Sequence, residues 1–261
     1  MITVLSPAKT LDFCSHDLTG KSTTPEFLSD SKALITQLKK LSKEEVAELM
    51  GISPTLADLN AKRFKAWKQP FTPENAKQSL LAFKGDVYTD IETEKYSQED
   101  FDFAQGHLRI LSGLYGILRP LDLMQPYRLE MGTKLENKRG ASLYAFWGDK
   151  ITKALNAALT GSGSTTLINL ASKEYFSSVI PDRLDGQVIT PIFKDTKNGK
   201  LKIISFFAKR ARGMMANHII RKRISDPAKL KRFTVAGYKY DKSLSTDTEF
   251  TFVRAEQKPK G

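Results

Sequence analysis

The chain has 261 residues, 40% of them hydrophobic and 27% charged, a composition typical of a folded globular protein. Its 41 basic and 29 acidic side chains give a net charge of +12, which favours nucleic acid, a phosphorylated small molecule or a membrane surface, in that order. No apolar run approaches the roughly 18 residues needed to cross a bilayer, so no membrane segment is expected. The single cysteine, Cys14, excludes an intrachain disulfide and suits a reducing cytoplasm.

The chain begins with a short apolar run, Ile2 to Leu5, that predicts a buried strand ending at Ser6-Pro7. The loop that follows carries Lys9 just beyond the strand, where sheet proteins often place ligand-binding groups. Lys9 is therefore a candidate to bind phosphate or, if desolvated, to act as a base or Schiff-base nucleophile.

Helix signals dominate the rest of the first third. A capping box beginning at Ser42 predicts a helix that Gly51 ends, and Ser53 followed by Pro54 predicts the start of the next. Thr72 followed by Pro73 repeats that second signal.

A cap at Ser97 to Asp100 predicts a helix that continues through Leu111 into a glycine-rich segment. Gly113 and Gly116 lie in an apolar run, and such glycines indicate a tight turn or a close approach of the backbone. Arg109, Arg119 and Arg128 flank the segment, which makes phosphate the expected neighbour.

The segment Leu111-Ser-Gly-Leu-Tyr-Gly116 resembles the turn of helix-hairpin-helix DNA-binding modules, whose backbone N–H groups contact phosphate without reading bases. Tyr115 is one residue too many for that turn, and Pro120 shortens or bends the helix expected after it. An ordinary helix C-cap followed by a turn explains the same residues.

The last third changes to strand-like runs, at about 165–170, 188–193 and 201–207, with a further strand at 250–254. Asn198-Gly199 predicts a type I′ hairpin between two of these runs. A helix is expected at about 208–223. Together the elements predict a single α+β domain over residues 1–261, with mixed helices and strands.

Residues 200–232 form a basic region with eleven basic side chains and one acid, Asp226. On a helical wheel, Ala211, Met215 and Ile219 form the ridge expected to face the core. The charges surround this ridge, so the region is either a solvated face or a phosphate-binding surface whose affinity falls steeply with salt. Its candidate contacts are Lys209, Arg210, Arg212, Arg221 and Arg223.

The main candidates for catalysis are Lys9, Arg128 and Glu130. Asp86 with Tyr88 and Ser172 with Glu174 are further candidates, although Ser172 more simply caps a helix that begins at Lys173. Arg128 and Glu130 are two apart on an extended run and share one face, which suits either a structural ion pair or a ligand clamp. No metal site is expected, because His16, His107 and His218 have no ligand spacing. No cofactor is expected either, since the chain has neither a Walker loop nor a dinucleotide fingerprint.

Several segments together resemble the YaaA family of peroxide-stress-resistance proteins over essentially the whole chain. The segments are Leu5-Ser-Pro-Ala-Lys-Thr-Leu-Asp12, Phe83-Lys-Gly-Asp-Val-Tyr88, Leu111-Ser-Gly-Leu-Tyr-Gly116, Leu118-Arg-Pro-Leu-Asp122, Pro126-Tyr-Arg-Leu-Glu-Met131, Ile168-Asn-Leu-Ala-Ser172, Lys202-Ile-Ile-Ser-Phe206 and Ala208-Lys-Arg-Ala-Arg-Gly213. The resemblance implies a cytoplasmic bacterial protein that limits oxidative damage and is associated with lowered free intracellular iron. It also implies a single-domain fold with a positively charged cleft, a helix-hairpin-helix element and binding to duplex or distorted DNA.

The leading hypothesis is therefore a sequence-tolerant DNA-binding stress protein with no stable protein partner. Its expected DNA contacts are Ser112, Gly113, Gly116, Arg119, Lys209, Arg210, Arg212, Arg221 and Arg223. The alternative is an enzyme acting on a nucleotide, DNA or another phosphorylated substrate in a cleft around Lys9, Lys84 and Arg128. A third class, direct iron sequestration, finds no ligand cluster in the sequence.

Overall fold

The structure, a computed structural model, describes residues 1–14 and 18–257. The strands in these ranges are β1 (Ile2–Leu5), β2 (Thr10–Leu11), β3 (Lys77–Gln78), β4 (Phe83–Lys84), β5 (Leu108–Ser112), β6 (Gly116–Leu118), β7 (Leu123–Met124), β8 (Thr166–Leu170), β9 (Gln187–Lys197), β10 (Lys200–Lys202), β11 (Lys239–Tyr240) and β12 (Glu249–Arg254). The α-helices are α1 (Leu28–Leu38), α2 (Lys43–Met50), α3 (Pro54–Ala66), α4 (Ser79–Ala82), α5 (Gln98–His107), α6 (Leu143–Trp147), α7 (Lys150–Gly161), α8 (Lys173–Phe176) and α9 (Ser205–Arg221).

The centre of the fold is a mostly parallel sheet in the order β11-β12-β9-β8-β1-β5-β6. β1 pairs in parallel with both β5 and β8, and β9 continues the parallel set through β8 and β12. All four residues of β1 are buried, as expected for an apolar strand that is covered on both faces. The mixed α/β class is thus confirmed, although this sheet is parallel rather than the separate antiparallel sheet typical of an α+β fold.

The strand order reverses between the two parallel central strands, β1 and β8. From β1 the chain continues to β5 on one side of the sheet, whereas from β8 it continues to β9 on the other. In open α/β sheets, a crevice forms outside the carboxyl ends of two such strands, and ligands bind there. The carboxyl ends of β1 and β8 are therefore the first place to look for a site.

The local predictions from capping and turn residues are largely confirmed. Ser42 and Glu45 form the capping box of α2, Gly51 ends that helix in the left-handed region, and Ser53 caps α3. Asn198 and Gly199 have φ angles of 53° and 69°, as a type I′ hairpin requires. Thr72 was wrong as a helix start, since only a turn follows it.

Two segments whose apolar spacing predicts a continuous helix are not continuous helices in the structure. α5 stops at His107, and Leu108 to Ser112 form a central strand instead of a continued helix. Apolar residues at helical spacing from Leu143 to Leu159 predict one long helix, but the structure divides it into α6 and α7 at Gly148, whose φ is 51°. In both cases buried apolar residues fit either period, and the sheet or a glycine decides the outcome.

None of the helices in the described part of the chain has the length and apolar character needed to cross a membrane.

Candidate anion-binding site

The glycine-rich segment is a β-hairpin in the core and not a helical turn. β5 and β6 pair in antiparallel fashion, with Ser112 opposite Gly116. Ser112, Leu114 and Tyr115 are each 0% exposed. The helix-hairpin-helix prediction at this segment is therefore not confirmed, and Ser112, Gly113 and Gly116 are not at the surface where DNA could reach them.

Both glycines are nevertheless required for close approach, as their place in an apolar run indicated. A Cβ atom at Gly113 would lie 2.2 Å from the carbonyl oxygen of Leu129. One at Gly116, where φ is +70°, would lie 2.7 Å from the indole ring of Trp147. Trp147 also donates a hydrogen bond from Nε1 to the Gly113 carbonyl at 2.9 Å. The partners of these glycines are the protein's own backbone and a tryptophan ring.

Tyr115, the residue that did not fit the DNA-binding turn, is the centre of a buried hydrogen-bond network. Its hydroxyl accepts from Trp67 Nε1 at 3.2 Å and from the backbone N–H of Gln125 at 3.0 Å. It also donates to the Gln125 carbonyl at 3.2 Å, and burial raises the pKa of Tyr115. The extra residue therefore stabilises the hairpin from inside.

A helical hairpin does occur elsewhere in the chain, between α2 and α3. Gly51 and Ile52 connect these helices, and the backbone N–H groups of both donate to carbonyls in the last turn of α2. This is an ordinary αα-hairpin with a glycine C-cap.

Four of the eleven basic residues in the region 200–232 (Lys209, Arg210, Arg221 and Arg223) lie against an acidic segment, residues 86–102, which carries seven acids and one lysine. Arg210 donates two hydrogen bonds to Asp90, at 2.9 and 2.7 Å, and this pairing raises the pKa of Arg210. Arg221 donates to Asp100 at 2.6 Å, and Arg223 approaches the same carboxylate at 3.4 Å. These arginines are engaged in ion pairs within the protein.

Arg119 also has an internal partner and lies in a different place. It contacts Asp122 through two nitrogens, at 3.1 and 2.9 Å, and donates to the Thr24 carbonyl. With Arg109 it lines a separate depression of about 740 Å³. The nine residues expected to contact DNA are therefore not one surface, and the described residues do not confirm a continuous positive cleft.

Arg212 differs from its neighbours in the basic region. Burial lowers its pKa, and among the described residues it makes no hydrogen bond or ion pair with a protein group. A half-buried guanidinium without a carboxylate is costly unless an anion binds to it.

Arg212 lines a cavity of about 410 Å³ at the carboxyl ends of β1 and β8, within the size range of small-molecule sites. Its basic residues are Lys9, Lys84, Lys209 and Arg212, and its acidic residues are Asp86 and Glu174. Because the cations outnumber the carboxylates, the cavity is suited to an anion. An adjoining cavity of about 550 Å³ contains Lys84 together with Asp12 and Glu94, so it has no such excess.

The walls of this cavity, termed here the switch-point pocket, come from four segments. One is the loop after β1, and a second is the start of α8 after β8. A third is the loop Lys84–Val87, and the fourth is the first half of α9. The sequence places a basic residue on three of them, which explains how charges far apart in the chain converge.

Gly213 allows the third wall to meet the fourth. A Cβ atom at this position would lie 1.8 Å from the carbonyl oxygen of Val87, so only glycine permits α9 to pack against this loop. The hydroxyl of Tyr88 donates to the Ser6 carbonyl at 2.9 Å and attaches the loop to the end of β1. Gly213, which weakens an isolated helix, is therefore needed for packing.

Two serines that follow adjacent strands, Ser6 and Ser172, line the switch-point pocket. Ser6 Oγ accepts from the backbone N–H of Ser172 at 2.8 Å and donates to Ser172 Oγ at 3.3 Å. Ser172 also caps α8 by accepting from Tyr175 N, as its position before Lys173-Glu-Tyr indicated. These bonds connect the carboxyl ends of β1 and β8, where the strand order of the sheet reverses.

The three main catalytic candidates are brought together by the structure. The Glu130 carboxylate accepts from Lys9 Nζ at 3.0 Å and from Arg128 at 3.0 and 3.2 Å. Burial acts to raise the pKa of Glu130, but the hydrogen bonds and positive charges of Lys9 and Arg128 have the larger effect, so its pKa is lowered. Lys9 is 67% exposed and lies at the edge of the pocket, so it is neither desolvated nor free of a partner.

Comparison with known families now adds to this geometry. Residues 1–244 match the family model described as peroxide stress protein YaaA. The chain belongs to this family. The matched range contains every residue of the switch-point pocket, and it supports a role in peroxide resistance.

Sequence reasoning missed the acidic partners of the peroxide stress protein's basic region. Asp86 was considered only as a catalytic candidate, Asp100 only as part of a helix cap and Asp90 not at all, although the acidic run at 86–102 is complementary in charge to residues 200–232. Opposite charge runs of this kind are a usable signal of internal pairing. It predicts that the two segments pair, but not that Arg212 lies without a carboxylate partner.

The described residues contain no group of three His, Cys, Asp or Glu side chains placed to hold a metal ion. His16 lies outside the described residues. His107 donates from Nδ1 to the Met1 carbonyl at 3.0 Å, and His218 packs edge-on against Phe233.

Proposed function

We propose that this peroxide stress protein binds DNA through its backbone phosphates, with the switch-point pocket as the principal phosphate site. The observation that carries the proposal is Arg212, a half-buried guanidinium with no protein partner among the described residues, in a cavity with three lysines. A phosphate oxygen supplies the negative charge that the protein does not supply there.

A second set of cations extends the proposed contact beyond the pocket. In the sheet register, Asp195 of β9 lies opposite Arg254 of β12 on one side and opposite Lys202 of β10 on the other. Since β8 and β12 flank β9 on different sides, β10 lies on the same side of β9 as β8. The β9–β10 hairpin therefore projects past the end of β8, at the sheet edge where the pocket opens. Its Lys197, Lys200 and Lys202 are exposed and can follow a phosphate backbone.

This arrangement explains why binding is expected to tolerate any DNA sequence. Lysines and arginines that contact phosphates position a protein on DNA but do not read the bases. The contribution of each such contact is largely the release of a bound counterion, so affinity falls as salt concentration rises.

The test is fluorescence anisotropy with a labelled DNA duplex over a range of salt concentrations. We expect the double variant Lys209→Met/Arg212→Met to bind more weakly, and its plot of log affinity against log salt to lose about two units of slope. A matched control is Lys229→Met/Arg232→Met, which removes the same charge from two exposed residues outside the pocket.

The two double variants separate site binding from a general effect of net charge. If both reduce affinity and slope equally, the +12 charge acts as a whole and the pocket is not the site. If neither changes affinity, the pocket is not the site, and if the wild-type protein does not bind the duplex, DNA is not the partner.

An enzyme acting on a phosphorylated substrate is the second candidate, since Lys9 lines the same pocket. Its ion pair with Glu130 and its exposure favour a binding role over attack on the substrate, because a nucleophilic lysine must be unprotonated. Borohydride trapping on an abasic oligonucleotide tests the covalent version. An adduct that Lys9→Ala abolishes would establish it.

We place the link to lowered free iron outside this site, as an indirect effect of the protein. Calorimetric titration with Fe²⁺ tests this directly. Stoichiometric binding would show that the protein holds iron itself.

A further inference from the structure

The shape and charge of the switch-point pocket suit the end of a nucleic-acid strand better than its continuous backbone. The pocket is a recess between two loops, α8 and α9, and the buried Ser6 is one of its lining residues. A phosphodiester continues as a chain from two of its four oxygens, so it must enter and leave such a recess. A terminal phosphate has only one attachment and can enter end-on.

The charges of the residues that line the pocket also favour a terminal phosphate. Among the four basic residues, Lys9 and Lys84 pair with Glu130 and Asp12 at 3.0 and 3.2 Å. Lys209 lies 3.8 Å from Asp86, at the far limit of an ion pair, and Arg212 has no carboxylate partner. Arg212 and Lys209, on neighbouring turns of α9, are therefore the two cations of the lining that carboxylates engage least.

A phosphate monoester matches these two charges. It carries about −1.5 to −2 charges at neutral pH, whereas a phosphodiester carries one. It also presents three terminal oxygens to the two nitrogens of the Arg212 fork and to Lys209 Nζ.

We propose that the switch-point pocket binds a terminal phosphate monoester, such as the phosphate at a DNA strand break. The assignment of this phosphate to DNA rests on the DNA binding proposed above, because a free mononucleotide carries the same chemical group. In a protein of a peroxide stress family, the pocket would then direct binding to broken strands.

The test compares duplexes that contain a single-nucleotide gap with either phosphate or hydroxyl groups at its ends. We expect the phosphorylated gap to bind about tenfold more tightly, the ratio given by one additional charge-assisted contact. Placing the phosphate on only the 3′ or only the 5′ side shows which end enters. Deoxyadenosine monophosphate should displace the phosphorylated duplex, and deoxyadenosine should not.

Two single variants assign the preference to the pocket. Arg212→Met should reduce the ratio between phosphate and hydroxyl ends to about one, because it removes the charge and keeps the aliphatic volume. Arg232→Met, an exposed control outside the pocket, should retain the ratio. The preference for phosphate ends should thus depend on Arg212 and not on Arg232.

The outcomes distinguish this inference from the proposed function. Equal affinity for phosphate and hydroxyl ends in the wild type would overturn the terminal-phosphate site while leaving DNA binding intact. Retention of the preference in Arg212→Met would overturn the assignment to this pocket. Calorimetric binding of deoxyadenosine monophosphate that needs Arg212, without any DNA binding, would support the monoester site and reject DNA as its source.

Discussion

Arg210 and Arg212 lie two residues apart on α9, but only Arg210 has a carboxylate partner among the described residues. Arg210 points to Asp90 and donates two hydrogen bonds to it, whereas Arg212 lines the switch-point pocket. Two residues along a helix correspond to about 200° of rotation, so the side chains leave on nearly opposite faces. One face is structural and the other is available to a ligand.

This difference predicts that the same substitution changes the free energy of unfolding differently at the two positions. Arg210→Met should lower the free energy of unfolding by about 1 kcal/mol, because it leaves Asp90 unpaired. Arg212→Met should change it by less than about 0.5 kcal/mol, or raise it, since it removes a desolvated charge that has no partner. Urea unfolding of the two variants measures both. A larger loss in Arg212→Met would show that Arg212 is structural.

The buried hairpin predicts that Gly113 cannot be replaced without loss of stability. Gly113→Ala places a Cβ atom 2.2 Å from the Leu129 carbonyl, which the backbone can relieve only by moving. We expect a loss of about 2–3 kcal/mol, as in other overpacked cores. The control is Gly161→Ala in α7, where a Cβ atom meets nothing within 4 Å and alanine favours the helix. Equal thermal stability of the two variants would contradict the hairpin.

Tyr115→Phe tests the network inside that hairpin. The substitution keeps the ring but leaves the buried N–H groups of Trp67 and Gln125 without their acceptor. The expected loss in the free energy of unfolding is about 1–3 kcal/mol. Tyr144→Phe is the control, because its hydroxyl donates to the Glu174 carbonyl near the surface. That variant should lose at most about 1 kcal/mol.

The ion pairs between the acidic and basic segments predict a dependence of stability on pH. Burial acts to raise the pKa of Asp100, but the backbone N–H of Ser97 and the guanidinium of Arg221 outweigh it, so its folded pKa is lowered. A carboxyl group with a lowered folded pKa stabilises the protein above its unfolded pKa of about 3.9. That contribution is lost as the pH falls through the lower, folded value.

Asp100→Asn measures this contribution. Its deficit in the free energy of unfolding should be about 1–3 kcal/mol at pH 7 and should shrink as the pH is lowered to about 3. Asp247→Asn, at an exposed aspartate, should show no deficit at either pH. A deficit in Asp100→Asn that is independent of pH would mean that lost packing, and not charge, is responsible.

Much of the local structure could be predicted from the sequence because its signals act within a few residues. The capping box of Ser42 and Glu45 and the left-handed Asn198-Gly199 turn are fixed by bonds between near neighbours. β1 was equally clear, because a strand buried on both faces requires an unbroken apolar run. The segment Leu108 to Ser112 was ambiguous, since its apolar residues fit a helix and a strand alike.

The candidate site was predictable only in part. Lys9 after the first strand and the basic residues of α9 were identified, but their meeting depends on the parallel pairing of β1 with β8 and on Gly213. The nearest signal for the paired arginines was the opposite charge of residues 86–102.

By itself the sequence determined the charge of this protein, its family resemblance, and those elements whose caps and turns are local. Only the tertiary structure decided which glycines are buried, and that Arg212 lies half-buried with no carboxylate partner among the described residues. The physical reason is distance along the chain: Arg210 and Asp90 are 120 residues apart, and Ser172 and Ser6 are 166 apart. Such contacts form only after the sheet has brought the strands together, and no local preference specifies them in advance.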